Sequence, residues 1–91
     1  MDTDLTPTQS QVLESLFFVE PFDKIVEETG LPAAVVADEL KQLIARRWVQ
    51  VMTFDAEAGD FLPSAIYDGD RLRSCHFLAT REGLMLLHGL S

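Results

Sequence analysis

The residue types able to do chemistry in this chain are few: one cysteine, two histidines and scattered carboxylates. Cys75 and His76 are adjacent and supply the ingredients of a thiolate nucleophile and its base. Neighbours on a strand point to opposite faces, however, so the two cannot share a proton, and Cys75 reads better as a small core residue. His76 and His88 could meet if the last helix folded back over the strand carrying His76, with Asp68 or Asp70 as a third ligand. No C-x-x-C or H-x-x-x-H spacing accompanies them, so no metal ion is expected. Asp68-Gly69-Asp70 lacks the further carboxylates of a calcium loop and reads as a turn. There is no glycine-rich phosphate loop and no nucleophile elbow. We expect neither an enzyme nor a cofactor.

What is left is recognition by surfaces, and there charge sets the terms. Fifteen acids against seven Lys and Arg give a net −8 in 91 residues. Such a chain repels phosphate backbones and anionic lipid heads unless its cations gather on one face, so no membrane partner is expected. A single cysteine excludes an internal disulfide, and Met1-Asp2-Thr3-Asp4 is acidic where a signal peptide is basic. The expected setting is a reducing cytoplasm. The length suits one domain over 1–91, with 1–4 disordered and 55–72 a long loop.

The elements that would position a surface are legible. Thr6-Pro7-Thr8-Gln9 has the form of a capping box, and Val12, Leu13, Leu16, Phe17 and Val19 follow on one side of a helix. Phe18 points away, and Pro21 ends the helix at Glu20. A short helix over 22–29 closes at Gly30. A third opens at Pro32 and runs to Arg47, with Val36, Leu40, Leu43 and Ile44 inward. Residues 48–54 and 73–79 read as strands; in the latter Cys75, Phe77 and Ala79 share a face. The connection 55–72 contains Phe61, Leu62, Ile66 and Tyr67. These aromatics either anchor a partner or pair as an added strand. Thr80 caps a last helix from Arg81 to Leu90.

Ile25-Val26-Glu27-Glu28-Thr29-Gly30-Leu31-Pro32-Ala33-Ala34-Val35-Val36, followed by Leu40, Leu43 and Trp48-Val49, resembles the winged helix-turn-helix of bacterial regulators of the MarR and ArsR kind. Phe77-Leu78-Ala79-Thr80-Arg81-Glu82-Gly83 is similar to the end of a wing entering a closing helix. The resemblance runs from about Leu5 to Leu90. It implies an α+β fold of three helices, a two- or three-stranded antiparallel wing and a C-terminal helix. It departs at Arg47, where such proteins commonly carry Gly before the strand, so this position must end the helix without glycine's freedom. The resemblance also implies DNA binding, with the third helix in the major groove and the wing on neighbouring phosphates.

The residues themselves fit that role poorly. The outward face of the third helix is Ala34, Ala37, Asp38, Lys41, Gln42 and Ala45, of which Lys41 and Gln42 alone suit base edges. Third helix and loop together carry Lys41, Arg46, Arg47, Arg71 and Arg73 against seven acids, a net −2. Arg71 and Arg73, at the base of the wing, are the best phosphate contacts. Ala34 and Ala37 would let a partner approach closely, or are simply good helix formers. In the last helix Leu84, Met85, Leu86, Leu87 and Leu90 go all the way round, so one apolar side should stay exposed. With Phe18 it makes a candidate interface of Phe18, Met85, Leu86 and Leu90.

The sequence therefore favours a non-enzymatic winged-helix module working through protein contacts, as a homodimer or as a regulatory subunit of another protein. The alternative is a DNA-binding transcriptional regulator using Lys41, Gln42, Arg71 and Arg73.

Overall fold

A computed structural model describes residues 5–64 and 69–89 of the chain. Among them α1 (Pro7–Glu14), α2 (Phe22–Thr29), α3 (Ala33–Ala45) and α4 (Arg81–Leu87) pack with a sheet of β1 (Glu20–Pro21), β2 (Val49–Asp55), β3 (Asp60–Ser64) and β4 (His76–Ala79). Pairing is antiparallel throughout, in the order β1-β4-β2-β3. The fold is the expected α+β mixture, with a sheet one strand larger than the widest wing anticipated.

The capping box forms as written. Thr6 Oγ1 accepts from Gln9 N at 3.1 Å, and Thr6 N donates to Gln9 Oε1 at 3.2 Å. The helix it opens is shorter than its periodicity suggested, ending at Glu14 with Ser15 Oγ donating to the Val12 carbonyl. Glu20 and Pro21 must be extended to pair with Phe77 and His76 at the sheet edge. The Leu16 carbonyl already accepts from Ala79 N at 3.0 Å, so the chain leaves the helix before Phe17. Val12, Leu13 and Leu16 are fully buried as expected, but Phe17 is 46% exposed rather than in the core.

Gly30 ends α2 in the left-handed conformation, its N–H bonded to the Val26 carbonyl. Pro32 sits one position earlier than expected, as the N-cap of α3, its carbonyl accepting from Val35 N and Val36 N. At the other end Arg47 takes the left-handed conformation that the missing glycine would have supplied, with φ 65°. Arg47 N donates to the Ile44 carbonyl and Trp48 N to the Leu43 carbonyl, the paired bonds of a Schellman closure.

The long loop expected over 55–72 is instead mostly structured. β2 turns at Ala56–Gly59 into β3, the added strand, on the far side of β2 from β4. The chain then returns as a 3-10 segment, Gly69–Ser74, which packs against α2 and α3 and buries Leu72 in the core. Residues 73 and 74, expected in the second strand, belong to this segment, and β4 starts at His76. Phe77 and Ala79 face the core with Val49 and Val51; Cys75 packs beside them, half-buried.

α4 is fastened to the end of α3. Thr80 Oγ1 accepts from Gly83 N at 3.0 Å and donates to the Arg47 carbonyl at 2.8 Å, while Thr80 N donates to the Trp48 carbonyl at 2.9 Å. Gly83 lies so close to that carbonyl that a Cβ there would collide with backbone. We predict that Gly83→Ala costs about 2 kcal/mol, because the obstacle cannot rotate away. Arg47→Gly should gain roughly 0.5–1 kcal/mol, relieving a left-handed residue against glycine's unfolded-state entropy. Thermal unfolding measures both: a loss of roughly 8–16 °C for the first and a rise of a few degrees for the second.

Candidate functional site

α3 turns Val36, Leu40 and Leu43 fully inward, leaving Ala34, Val35, Asp38, Lys41, Gln42 and Ala45 exposed. Ala37 departs from expectation. It lies on the flank of the inward stripe, beside Leu40 and Ile44 in angle, and packs against the core instead of standing on the outer face. The first turn offers Ala33, Ala34 and Val35, which bring no side-chain donor. Lys41 and Gln42 remain the polar groups of the face able to read a base edge, with Asp38 an acid among them.

Gln42 also belongs to a link that the sequence did not announce. Gln9 is 4% exposed, and its Nε2 donates to Glu39 Oε1 and to Gln42 Oε1, each at 3.2 Å. The capping box decides the orientation of this amide: Thr6 N can only donate, so the oxygen faces it and the NH2 faces α3. The Gln at N3 of α1 and the Glu39/Gln42 pair three apart on α3 were the available signal. The result ties α1 to the flank of α3 and leaves the Gln42 amide nitrogen for solvent or a ligand.

The arginines divide between two places. Arg46 lies over the Trp48 ring at 5.1 Å, next to Arg47 at the end of α3. Arg73 lies over the Phe22 ring at 5.6 Å, and Arg71 is exposed on the same 3-10 segment. That segment packs on α2 and α3 and leads directly into β4, so Arg73 stands beside α2 only a few residues before the strand. The β2–β3 turn itself is flanked by Asp55, Glu57 and Asp60.

Of the proposed contact residues, Phe18 is 77% exposed, whereas Met85 and Leu86 are half-buried and Leu90 lies outside the described residues. Leu84 and Leu87 pack against the core. Phe17, which periodicity had placed inside, instead stacks on His88 at 6.0 Å and widens the apolar corner around Phe18. His76 packs on Phe61 at 4.8 Å, so the two histidines serve different aromatic neighbours. Among the described residues no three His, Cys, Asp or Glu side chains converge as a metal site would require. Asp68 lies outside them. No helix among the described residues is long and apolar enough to cross a membrane.

No protein-family model and no curated protein matches the chain. Among solved structures it is similar to Bordetella bronchiseptica BpsR, whose structure concerns regulation of DNA binding by 6-hydroxynicotinic acid. The TM-score is 0.70 and the identity 21%, over 97% of this chain and 53% of that one. The chain thus spans about half the length of that protein, and the likeness is one of fold.

The α1–α3 link gives a test independent of function. Gln9→Glu keeps the acceptor toward Thr6 N, removes the donor toward α3 and sets a second carboxylate beside Glu39. A carboxylate facing a like charge has its folded pKa raised, so the penalty is present at neutral pH and disappears below the unfolded value, roughly 4.3. Denaturant titrations should give a deficit of about 2 kcal/mol at pH 7 that shrinks on acidification toward pH 4.

Proposed function

We propose that the chain is a winged-helix regulator module that binds DNA through α3. The observation that carries this reading is a fold shared over 97% of the chain with a DNA-binding regulator, combined with an α3 outer face open to solvent. In this reading α2, the turn at Gly30–Pro32 and α3 form the helix-turn-helix. Ala34 and its neighbours in the first turn are small enough for close approach and suit contact with thymine methyl groups. Lys41 and Gln42 reach base edges about two turns further on, and Arg71 and Arg73 meet the phosphates. The net −8 keeps non-specific affinity low, so a useful regulator would add two half-sites through a dimer.

The test is fluorescence anisotropy of labelled random duplex titrated with the whole chain at ~50 mM and ~200 mM salt. Binding in the tens of micromolar, weakening with salt in proportion to the few phosphates contacted, is expected. Arg71→Ala with Arg73→Ala should weaken it on every sequence and flatten its salt dependence. No salt-sensitive binding at ~100 µM protein would overturn the reading, since non-specific contacts of such modules fall at roughly 1–100 µM.

A second reading is favoured by the 77% exposure of Phe18, next in sequence to Phe17, which is 46% exposed and stacks on His88 after α4. Here the chain acts through protein contacts, as a homodimer or docked on another protein. Burying such exposed aromatic surface against a partner would favour association. Light scattering should give twice 10.2 kDa for the chain and 10.2 kDa for Phe18→Ser. A wild-type monomer at ~100 µM would remove the homodimer, since stable dimers dissociate well below that concentration.

A further inference from the structure

The side-chain amide of Gln42 has its direction fixed by a chain of hydrogen bonds that starts in α1. A backbone N–H donates and cannot accept, so the 3.2 Å bond from Thr6 N sets the side-chain oxygen of Gln9 toward it. The Gln9 NH2 therefore faces α3, where it donates to Glu39 Oε1 and to Gln42 Oε1, each at 3.2 Å. An NH2 group facing Gln42 demands the oxygen of that amide and not its nitrogen. One backbone donor thus orients two glutamines in series.

Gln9 is 4% exposed, whereas Gln42 is exposed on α3. With its oxygen held against a buried partner, Gln42 carries its nitrogen on the opposite side of the amide carbon, away from α1. Among the described residues nothing accepts a hydrogen bond from that nitrogen. The residue therefore presents two N–H donors outward. Lys41, its neighbour on the exposed face, also has donors alone.

An unconstrained glutamine pairs with adenine, its oxygen accepting from N6 while its nitrogen donates to N7. That pairing needs both amide atoms against the base, and here the oxygen is turned to Gln9. Guanine shows two adjacent acceptors, O6 and N7, which match two donors; thymine offers one, beside a methyl group. Adenine N6 and cytosine N4 would set donor against donor. We propose, resting on duplex binding by α3, that Gln42 reads guanine in the major groove. Gln9 touches no base, yet as a positioning residue it makes the choice.

The experiment recovers bound sequences from a randomised duplex library with the whole chain at ~100 µM and ~50 mM salt, where phosphate attraction is strong. One position should favour guanine about three- to tenfold and lose that preference in Gln42→Ala. Gln9→Glu keeps the acceptor toward Thr6 N and replaces the donors by a carboxylate oxygen. The Gln42 amide then turns its NH2 inward and its oxygen outward, and guanine should give way to adenine or cytosine. Gln42→Glu, at an exposed position where the fold survives, leaves Gln9 an acceptor and offers the groove only oxygen; cytosine should replace guanine. In the free chain the side-chain NH2 of Gln9 should exchange with solvent more slowly than that of Gln42, and the reverse order would overturn the orientation. Preference for another base, guanine that survives Gln42→Ala, or guanine retained in either folded carboxylate variant would overturn the proposal and leave duplex binding standing. Absence of binding to any duplex would overturn both.

Discussion

Two consecutive carbonyls, those of Arg47 and Trp48, receive the start of α4: Thr80 Oγ1 donates to the first at 2.8 Å and Thr80 N to the second at 2.9 Å. The same threonine caps α4 through Gly83 N, so one side chain joins the end of α3, the beginning of β2 and the first turn of the last helix. The approach is possible because Gly83 has no Cβ to strike the Trp48 carbonyl. It is held at a cost, since Arg47 must stay left-handed, at about 1–2 kcal/mol for a residue with a side chain. The Schellman bonds to Ile44 and Leu43 and the bond from Thr80 offset that strain. Once α4 is seated, Leu84 and Leu87 close the core.

The exposed face of α3 follows from this junction and from one at its flank. Gln9 holds the Glu39/Gln42 side of the helix to α1, while the Schellman turn and Thr80 fix its end against the sheet. With both constraints in place α3 cannot roll, and Ala34, Asp38, Lys41 and Ala45 are held outward by geometry rather than by affinity for anything. Whatever α3 recognises, it does so on a preorganised surface, which lowers the ordering cost of binding.

What could be read in the chain beforehand was whatever local chemistry decides. The Thr6/Gln9 box, the Gly30 stop, the Thr80 cap and the strain at Arg47 each depend on a few adjacent residues, and each stands where the residues put it. Phe17 was misjudged because a helical period was extended past Glu14, where a distant pairing with β4 takes over. In the stretch 55–72 the added strand that Phe61 and Leu62 allowed does form, and only the path of the chain after it was illegible, for a related reason. Its turn is marked by Asp55 and by Gly59 at φ 67°, yet the burial of Leu72 depends on the chain crossing back to α2 and α3. Of the candidate site, the α3 face was legible except at Ala37, because periodicity resolves the centre of a stripe better than its margin. The Gln9 bridge had only a weak signal in Gln9 and the Glu39/Gln42 spacing, and the seating of Arg73 on Phe22 is a tertiary fact that no local pattern encodes.

The net charge of −8 is a weaker guide to function than its distribution. At physiological salt the Debye length is about 8 Å, while the molecule measures 43 Å along its longest axis, so exposed charges act as local sets. One set is cationic in its side chains, Arg71 and Arg73 on the segment that packs against α2 and α3. Another is anionic, Asp55, Glu57 and Asp60 at the β2–β3 turn. The acidity of the molecule as a whole therefore says little about the α3 face, whose own exposed charges are Asp38 and Lys41.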